Sequence, residues 1–109
     1  MHQTIDITKH SGVDGILVQM PLPDHLCAKA VIDQIGPSLD VDGLHPYNLG
    51  RLAQGGFLTS PDYFVSCTAK GVFKILERIL GGAEHLAHKN VCVVGRSNLV
   101  GLPLQLILS

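Results

Sequence analysis

The apolar positions of this chain fall into two kinds of pattern: short unbroken runs, and longer stretches in which they recur at spacings of three and four. Gly15-Ile16-Leu17-Val18-Gln19-Met20 is an unbroken run of strand length behind a glycine, the pattern of a strand buried on both faces in a parallel sheet. Pro21-Leu22-Pro23 ends it. Leu26, Ala30, Val31 and Ile35 then fall at helical spacing, with Asp24 as the expected N-cap and Gly36-Pro37 as the stop. From Asp40 to Asp62 no period is sustained, and Gly43, Gly50, Gly55 and Gly56 interrupt the stretch, which reads as a long ordered loop. Such a loop in a compact domain is usually functional.

The pattern sharpens in the second half. From Thr68 to Leu80, Val72, Ile75, Leu76 and Ile79 share one face, and Lys70, Lys74, Glu77 and Arg78 lie mostly on the other. This predicts an amphipathic helix capped by Thr68 and ended by Gly81-Gly82. After a polar connection, Val91-Cys92-Val93-Val94 reads as a second short β-branched strand, running directly into Gly95-Arg96-Ser97-Asn98-Leu99-Val100-Gly101. A helix is expected from Leu102 to Leu108, with Pro103 tolerated in its first turn, and its apolar pattern is still running at Ser109. Strands alternating with helices predict an α/β fold.

Composition narrows the function classes. With 109 residues the chain is about one domain in size, and 46% hydrophobic against 16% charged residues places it among folded rather than disordered chains. A net charge of -1 provides no general basic field, so a nucleic-acid partner is not expected. Cys27, Cys67 and Cys92 are odd in number and widely spaced, with no CxxC pair, and read as reduced intracellular thiols. No run approaches the roughly 20 apolar residues that span a bilayer. The first residues lack the basic and apolar regions of a signal peptide, so a soluble chain is expected. His85 and His88 fall close together, but no carboxylate or thiol stands at ligand spacing to them, and no metal site is expected among the six histidines.

The most informative chemistry lies at the second strand. A strand that ends in glycine and turns directly into a helix points unpaired backbone N–H groups beyond its end, where the helix dipole favours an anion. Here Gly95 and Gly101 are six positions apart and Ser97 holds the middle, so the usual GxGxxG spacing is not met, and a plain tight turn remains the competing reading. Arg96 favours a nucleotide, because a guanidinium beside such a turn suits a 2′-phosphate and hence NADP over NAD.

Three segments in order resemble the bifunctional methylenetetrahydrofolate dehydrogenase/cyclohydrolase family: Gly15 to Pro23 (GILVQMPLP), Asp40 to Arg51 (DVDGLHPYNLGR) and Val93 to Pro103 (VVGRSNLVGLP). The resemblance runs from about Val13 to Leu108. It implies the second half of an α/β catalytic, tetrahydrofolate-binding domain over residues 1–67, a connecting helix over 68–82, and the first βα unit of a Rossmann NAD(P)-binding domain over 83–109.

It also implies roles. Gln19 matches a glutamine that assists a catalytic lysine. Asp42 matches an aspartate that holds the pterin ring, and Pro21 lies in the same substrate-binding segment. Gly95, Arg96, Ser97 and Gly101 match the surroundings of the NADP phosphate, with NAD possible, and Cys67 lies in a Cys-Thr segment near cofactor and cleft. An amide at a strand's carboxyl end can orient a proton-transfer group, and a carboxylate can accept from an aminopyrimidine edge. Each position also has a plain competitor: Gln19 as a cap of neighbouring backbone, Asp42-Gly43 as a common turn pair, and Cys67 as a small buried hydrophobe.

Two departures stand out. Where the family segment reads Pro-Cys-Thr-Pro, this chain has Ser66 and Ala69 at the proline positions. The family's YxxxK motif, whose lysine serves the cyclohydrolase step, has no counterpart in the 18 residues before Gln19. The implied parent enzyme oxidises 5,10-methylenetetrahydrofolate with NADP and hydrolyses 5,10-methenyltetrahydrofolate to 10-formyltetrahydrofolate. It would act as a cytoplasmic or mitochondrial homodimer supplying one-carbon units, as for purine biosynthesis. The 109-residue chain, read as a partial one, is expected to be inactive alone. The alternative is a non-catalytic module that pairs with a full-length family member.

Overall fold

The computed structural model describes residues 1–57 and 62–109. In chain order its helices are α1 (His2–Lys9), α2 (Ala28–Ile35), α3 (Pro46–Ala53), α4 (Cys67–Leu80), a short 3-10 turn (Ala83–Leu86) and α5 (Gly101–Leu108). Helix α1 precedes the first pattern read from the sequence and buries Ile5. The radius of gyration is 15.4 Å, against about 13 Å for a compact chain of this length, and the molecule measures 47 × 29 × 22 Å. The elongation reflects apolar packing around two centres.

In the first centre, α1 lies against α2, and Ile5, Val31 and Ile35 close over Ile16, with Val13, Val18, Leu22 and Leu39 at the margin. In the second, α5 packs against α3 and α4, where Leu52, Ala69, Phe73 and Leu104 are buried. Phe57 meets Phe73 edge-on with ring centroids 5.2 Å apart, an arrangement in which the positive ring edge faces the negative ring face.

The predicted strands survive only as extended chain. Ile16 makes one parallel bridge with Asp40, with Ile16 N–H donating to the Leu39 carbonyl at 2.7 Å. Among the described residues no extended segment pairs with Val91–Val94, whose backbone groups make no hydrogen bond, and Val94 is 97% exposed. A buried-strand pattern produces a strand only where a neighbouring chain supplies the ladder, and here one residue supplies it.

Other local expectations also shift. Helix α2 starts at Ala28 after an extended Cys27, and Asp24 lies in the turn before it, outside the capping position. The expected loop contains α3, begun by Pro46 at its first turn and by His45, whose Nδ1 accepts from Tyr47 N–H at 3.1 Å. Its buried pair is Asn48 and Leu52, and the polar member interrupts the apolar period that would have revealed the helix. Helix α4 is begun by Ser66, so Thr68 lies inside it, while Gly81 closes it in the left-handed conformation as expected. The face of α4 that enters the core is that of Ala69 and Phe73, with Ile75 and Ile79 outward at 59% and 73% exposure. The periodicity thus chose the wrong apolar face: α4 packs against α5 with Ala69 and Phe73 buried, which leaves Ile75 and Ile79 to solvent. No described helix is long and apolar enough to cross a membrane.

Candidate functional site

The bridge between Ile16 and Asp40 organises the first half of the site. Because the two segments run parallel, Gln19 and Asp42 leave the pair in the same direction, towards its carboxyl end. The segments lie so close that a side chain on Gly15 would meet Val41. Gln19 is exposed, and its Nε2 donates to its neighbour's Met20 carbonyl at 3.1 Å, the local role that competed with a catalytic one. The Met20–Pro21 peptide is cis, and Pro21 is exposed. Gln19 also lines a groove of about 540 Å³ between this segment and α1, with Thr4, Thr8 and Leu22 among its walls.

Asp42 sits in a turn that two buried polar residues hold in place. Asp40 Oδ2 accepts from His45 N–H at 2.8 Å and from Asn48 Nδ2 at 2.9 Å, and Asn48 Nδ2 also reaches the Pro37 carbonyl at 3.0 Å. The Gly43 N–H closes the turn on the Asp40 carbonyl at 3.1 Å. Gly43 has φ +66°, and a Cβ there would stand 2.9 Å from both the Phe64 oxygen and the Ser66 nitrogen, so both backbone conformation and space require glycine. Asp42 is half-buried, and burial, with a smaller contribution from Asp40, raises its carboxyl above the ordinary range.

Cys67, the first residue of α4, is exposed at the edge of this turn, and its Sγ lies 3.9 Å from the Val41 carbonyl it faces. One residue earlier, buried Ser66 donates its hydroxyl to the Leu99 carbonyl and thereby joins the Asp42 turn to the Gly95–Gly101 turn.

That second turn is tight. Gly95 has φ +139°, and a Cβ on Gly101 would collide with the Gly95 carbonyl and the Arg96 nitrogen. Gln105 Nε2 donates to the Gly95 carbonyl at 3.2 Å. Ser97 Oγ accepts from Val100 N–H at 3.2 Å and Gly101 N–H at 3.5 Å, and its carbonyl accepts from Leu102 N–H at 3.0 Å. Pro103 has no N–H to offer. The first-turn donors of α5 are thus already engaged, and the amides of the turn without a partner among the described residues are those of Arg96, Ser97, Asn98 and Leu99. The Arg96 side chain is exposed and has no ion-pair or hydrogen-bond partner among the described residues. Four free amides and an unpaired guanidinium are donors suited to an anionic, phosphate-bearing group.

Gln19, Asp42 and Cys67 thus belong to one connected framework, with Gly95, Arg96, Ser97 and Gly101 tied to it through Ser66. Asp40, Asn48 and Ser66 were not singled out from the sequence as site-forming residues. Asp40 opens the same motif as Asp42, and Asn48 follows it at the spacing of the α3 contact, but only the fold shows their bonds. A separate pocket of about 540 Å³ among Pro37, Tyr47, Asn48, Asp62 and Tyr63 contains none of the expected site residues. His85 lies 3.8 Å from Glu84, and among the described residues no group of three His, Cys, Asp or Glu side chains is placed to hold a metal.

Residues 66–109 match the family model "Tetrahydrofolate dehydrogenase/cyclohydrolase, NAD(P)-binding domain". The bifunctional protein FolD of Nitratiruptor sp. is 43% identical over 109 residues, an alignment covering 99% of this chain and 36% of that protein. The solved bifunctional FolD methylenetetrahydrofolate dehydrogenase/cyclohydrolase of Campylobacter jejuni superposes with a TM-score of 0.82 at 39% identity, over 98% of this chain and 36% of that one. The Trypanosoma brucei methylenetetrahydrofolate dehydrogenase-cyclohydrolase, solved with NADP cofactor and an inhibitor, gives 0.78 at 30% identity, over 99% of this chain and 36% of that one. The chain therefore spans about a third of the length of the relatives it matches.

Proposed function

We propose, from a chain related along 99% of its length to the bifunctional tetrahydrofolate dehydrogenase/cyclohydrolase family, that it carries two half-sites: one for a tetrahydrofolate derivative and one for NADP. The whole activity is NADP-dependent oxidation of 5,10-methylenetetrahydrofolate, followed by hydrolysis of the methenyl product to 10-formyltetrahydrofolate. Residues 1–67 form part of the folate-binding catalytic domain, 68–82 the connecting helix, and 83–109 the opening βα unit of the Rossmann domain. The observation that carries this reading is the parallel Ile16–Asp40 bridge, which sends Gln19 and Asp42 out at one end, with the Asp42 turn beside the start of α4.

On this reading Asp42 accepts from the amino-pyrimidine edge of the pterin, Pro21 bounds that site, and Gln19 orients the proton-transfer group. Gly95 and Gly101 give the turn its close approach, while Arg96 and Ser97 hold the phosphate of NADP and Cys67 borders the cleft. NADP supplies a hydride acceptor, and the protein's part in that step is to position it against the substrate. Hydrolysis calls in addition for the Tyr and Lys of the YxxxK motif, so this chain by itself binds without turning over. The backbone of Val91–Val94, unpaired among the described residues, favours a second reading, a module that docks on a family partner by completing a sheet.

A thermal-shift titration of the 109-residue chain with NADP and, separately, a folate analogue tests the proposal. A ligand at a hundred times its Kd stabilises by about 2.7 kcal/mol. A cooperative melt that neither ligand moves would leave the two half-sites without support.

A further inference from the structure

Ser66 holds the position of a helix cap without acting as one. As N-cap of α4 its hydroxyl would ordinarily accept from a first-turn amide, yet it makes no such bond and instead donates to the Leu99 carbonyl, 33 residues along the chain. The residue is 2% exposed, so the bond is made away from water, where leaving either partner unpaired is costly.

The Leu99 carbonyl belongs to the same rigid peptide plane as Val100 N–H, and that N–H donates to Ser97 Oγ at 3.2 Å. A continuous relay therefore runs from the Ser66 hydroxyl through the Leu99–Val100 peptide to the Ser97 oxygen. The neighbouring Gly101 N–H also donates to the Ser97 oxygen, at 3.5 Å. With two amides donating to its oxygen, Ser97 keeps its own proton free to donate outward. On its other side, the Ser66 nitrogen lies in the strip of backbone that Gly43 packs against, directly behind the turn bearing Asp42.

We propose that Ser66 is a positioning residue for the Ser97 turn. Its hydroxyl fixes the Leu99–Val100 peptide, and through it the Ser97 hydroxyl and the free Arg96–Leu99 amides, in the orientation that receives an anionic phosphate. The inference rests on the assignment of the turn to NADP, but its structural part is read without any ligand.

The test is amide hydrogen exchange, resolved by NMR, on the full chain and on Ser66→Ala and Ser66→Thr, followed by titration with NADP. Loss of one such bond is expected to speed exchange at Val100 and Gly101 roughly fivefold and to weaken NADP binding by a similar factor. The α1 and α2 amides should stay unchanged, and Ser66→Thr, which keeps a hydroxyl, should restore both readouts. Unchanged protection at Val100 and Gly101 in a folded Ser66→Ala chain would overturn the proposal. If the alanine chain does not fold, the threonine chain decides: wild-type protection supports the relay, and its loss in a folded protein overturns it. If the exchange pattern responds as expected but the wild-type chain binds no NADP, Ser66 stands as the residue that positions the turn, and only the cofactor assignment fails.

Discussion

Asn48 Nδ2 donates to Asp40 Oδ2 at 2.9 Å, and both residues are 2% exposed. This bond ties the first turn of α3 to the residue that pairs with Ile16, so one buried polar contact sets both the α3 docking and the turn that presents Asp42. Asp40→Ala leaves the His45 N–H and one of the two Asn48 Nδ2 protons without an acceptor, while the other keeps the Pro37 carbonyl, and each donor left without its partner costs about 1–3 kcal/mol. Urea unfolding should show a loss of about 3 kcal/mol. A change below about 0.5 kcal/mol would show that the contact contributes nothing to the fold.

Asp42 gives a pH dependence with a definite sign. Burial raises its folded-state pKa above the unfolded value, so the folded chain holds this proton more tightly. The resulting stability is fully present below the ordinary aspartate pKa and is lost as pH rises through the raised one. Asp42→Asn removes that dependence and should melt higher than the parent at pH 7, with the difference closing in acid. It should also bind the folate analogue roughly tenfold more weakly, the scale of one charge-assisted hydrogen bond. Melting curves between pH 3 and 7 that run parallel for the two proteins would contradict the first part.

Gly101→Ala places a Cβ against the Gly95 carbonyl and the Arg96 nitrogen, backbone atoms that no side-chain rotation can move aside. A destabilisation of about 2 kcal/mol is expected, on the scale of overpacking or enforced backbone strain. Gly50→Ala, where nothing lies within 4 Å of the new atom, serves as the control and should be neutral or stabilising. Equal melting temperatures for the two variants would contradict the close approach.

Arg96→Ala separates binding from folding. The side chain is exposed and unpaired among the described residues, so the melting temperature should hold within the spread of ordinary surface substitutions, about 0.5 kcal/mol. NADP affinity should fall about tenfold or more, with little change for NAD, because the lost interaction is with the 2′-phosphate. Equal losses for both nucleotides would place Arg96 elsewhere on the ligand.

The buried face of α4 is decided by two substitutions. Phe73→Ala removes a ring that is 3% exposed and should cost about 3–5 kcal/mol. Ile79→Ser on the 73%-exposed face should change stability by less than about 0.5 kcal/mol. Denaturant midpoints that reverse this order would restore the face read from the periodicity.

Local chemistry determined much of this protein by itself. The positions of α2, α4 and α5, the Gly81 stop, the tight Gly95–Gly101 turn and the family resemblance all follow from residue spacing, capping chemistry and motif order, which are properties of neighbours in the chain. Tertiary structure decided what depends on distant partners. The 91–94 run reads as a strand, but a strand requires a second segment beside it, and among the described residues only Ile16 finds one, at Asp40. Helix α3 stayed hidden because its inward residue is Asn48, whose polarity is tolerable only once Asp40 and the Pro37 carbonyl are placed around it. The periodicity of α4 favours the face of Val72, Ile75, Leu76 and Ile79, and only packing against α5 buries Ala69 and Phe73 instead. The sequence pointed to Thr68 as the cap of α4; Ser66 holds that position instead, and the approach of Leu99 from 33 positions away turns its hydroxyl into a link between the two turns. Spacing records which groups are available, while burial and the geometry of remote contacts select the partners they use.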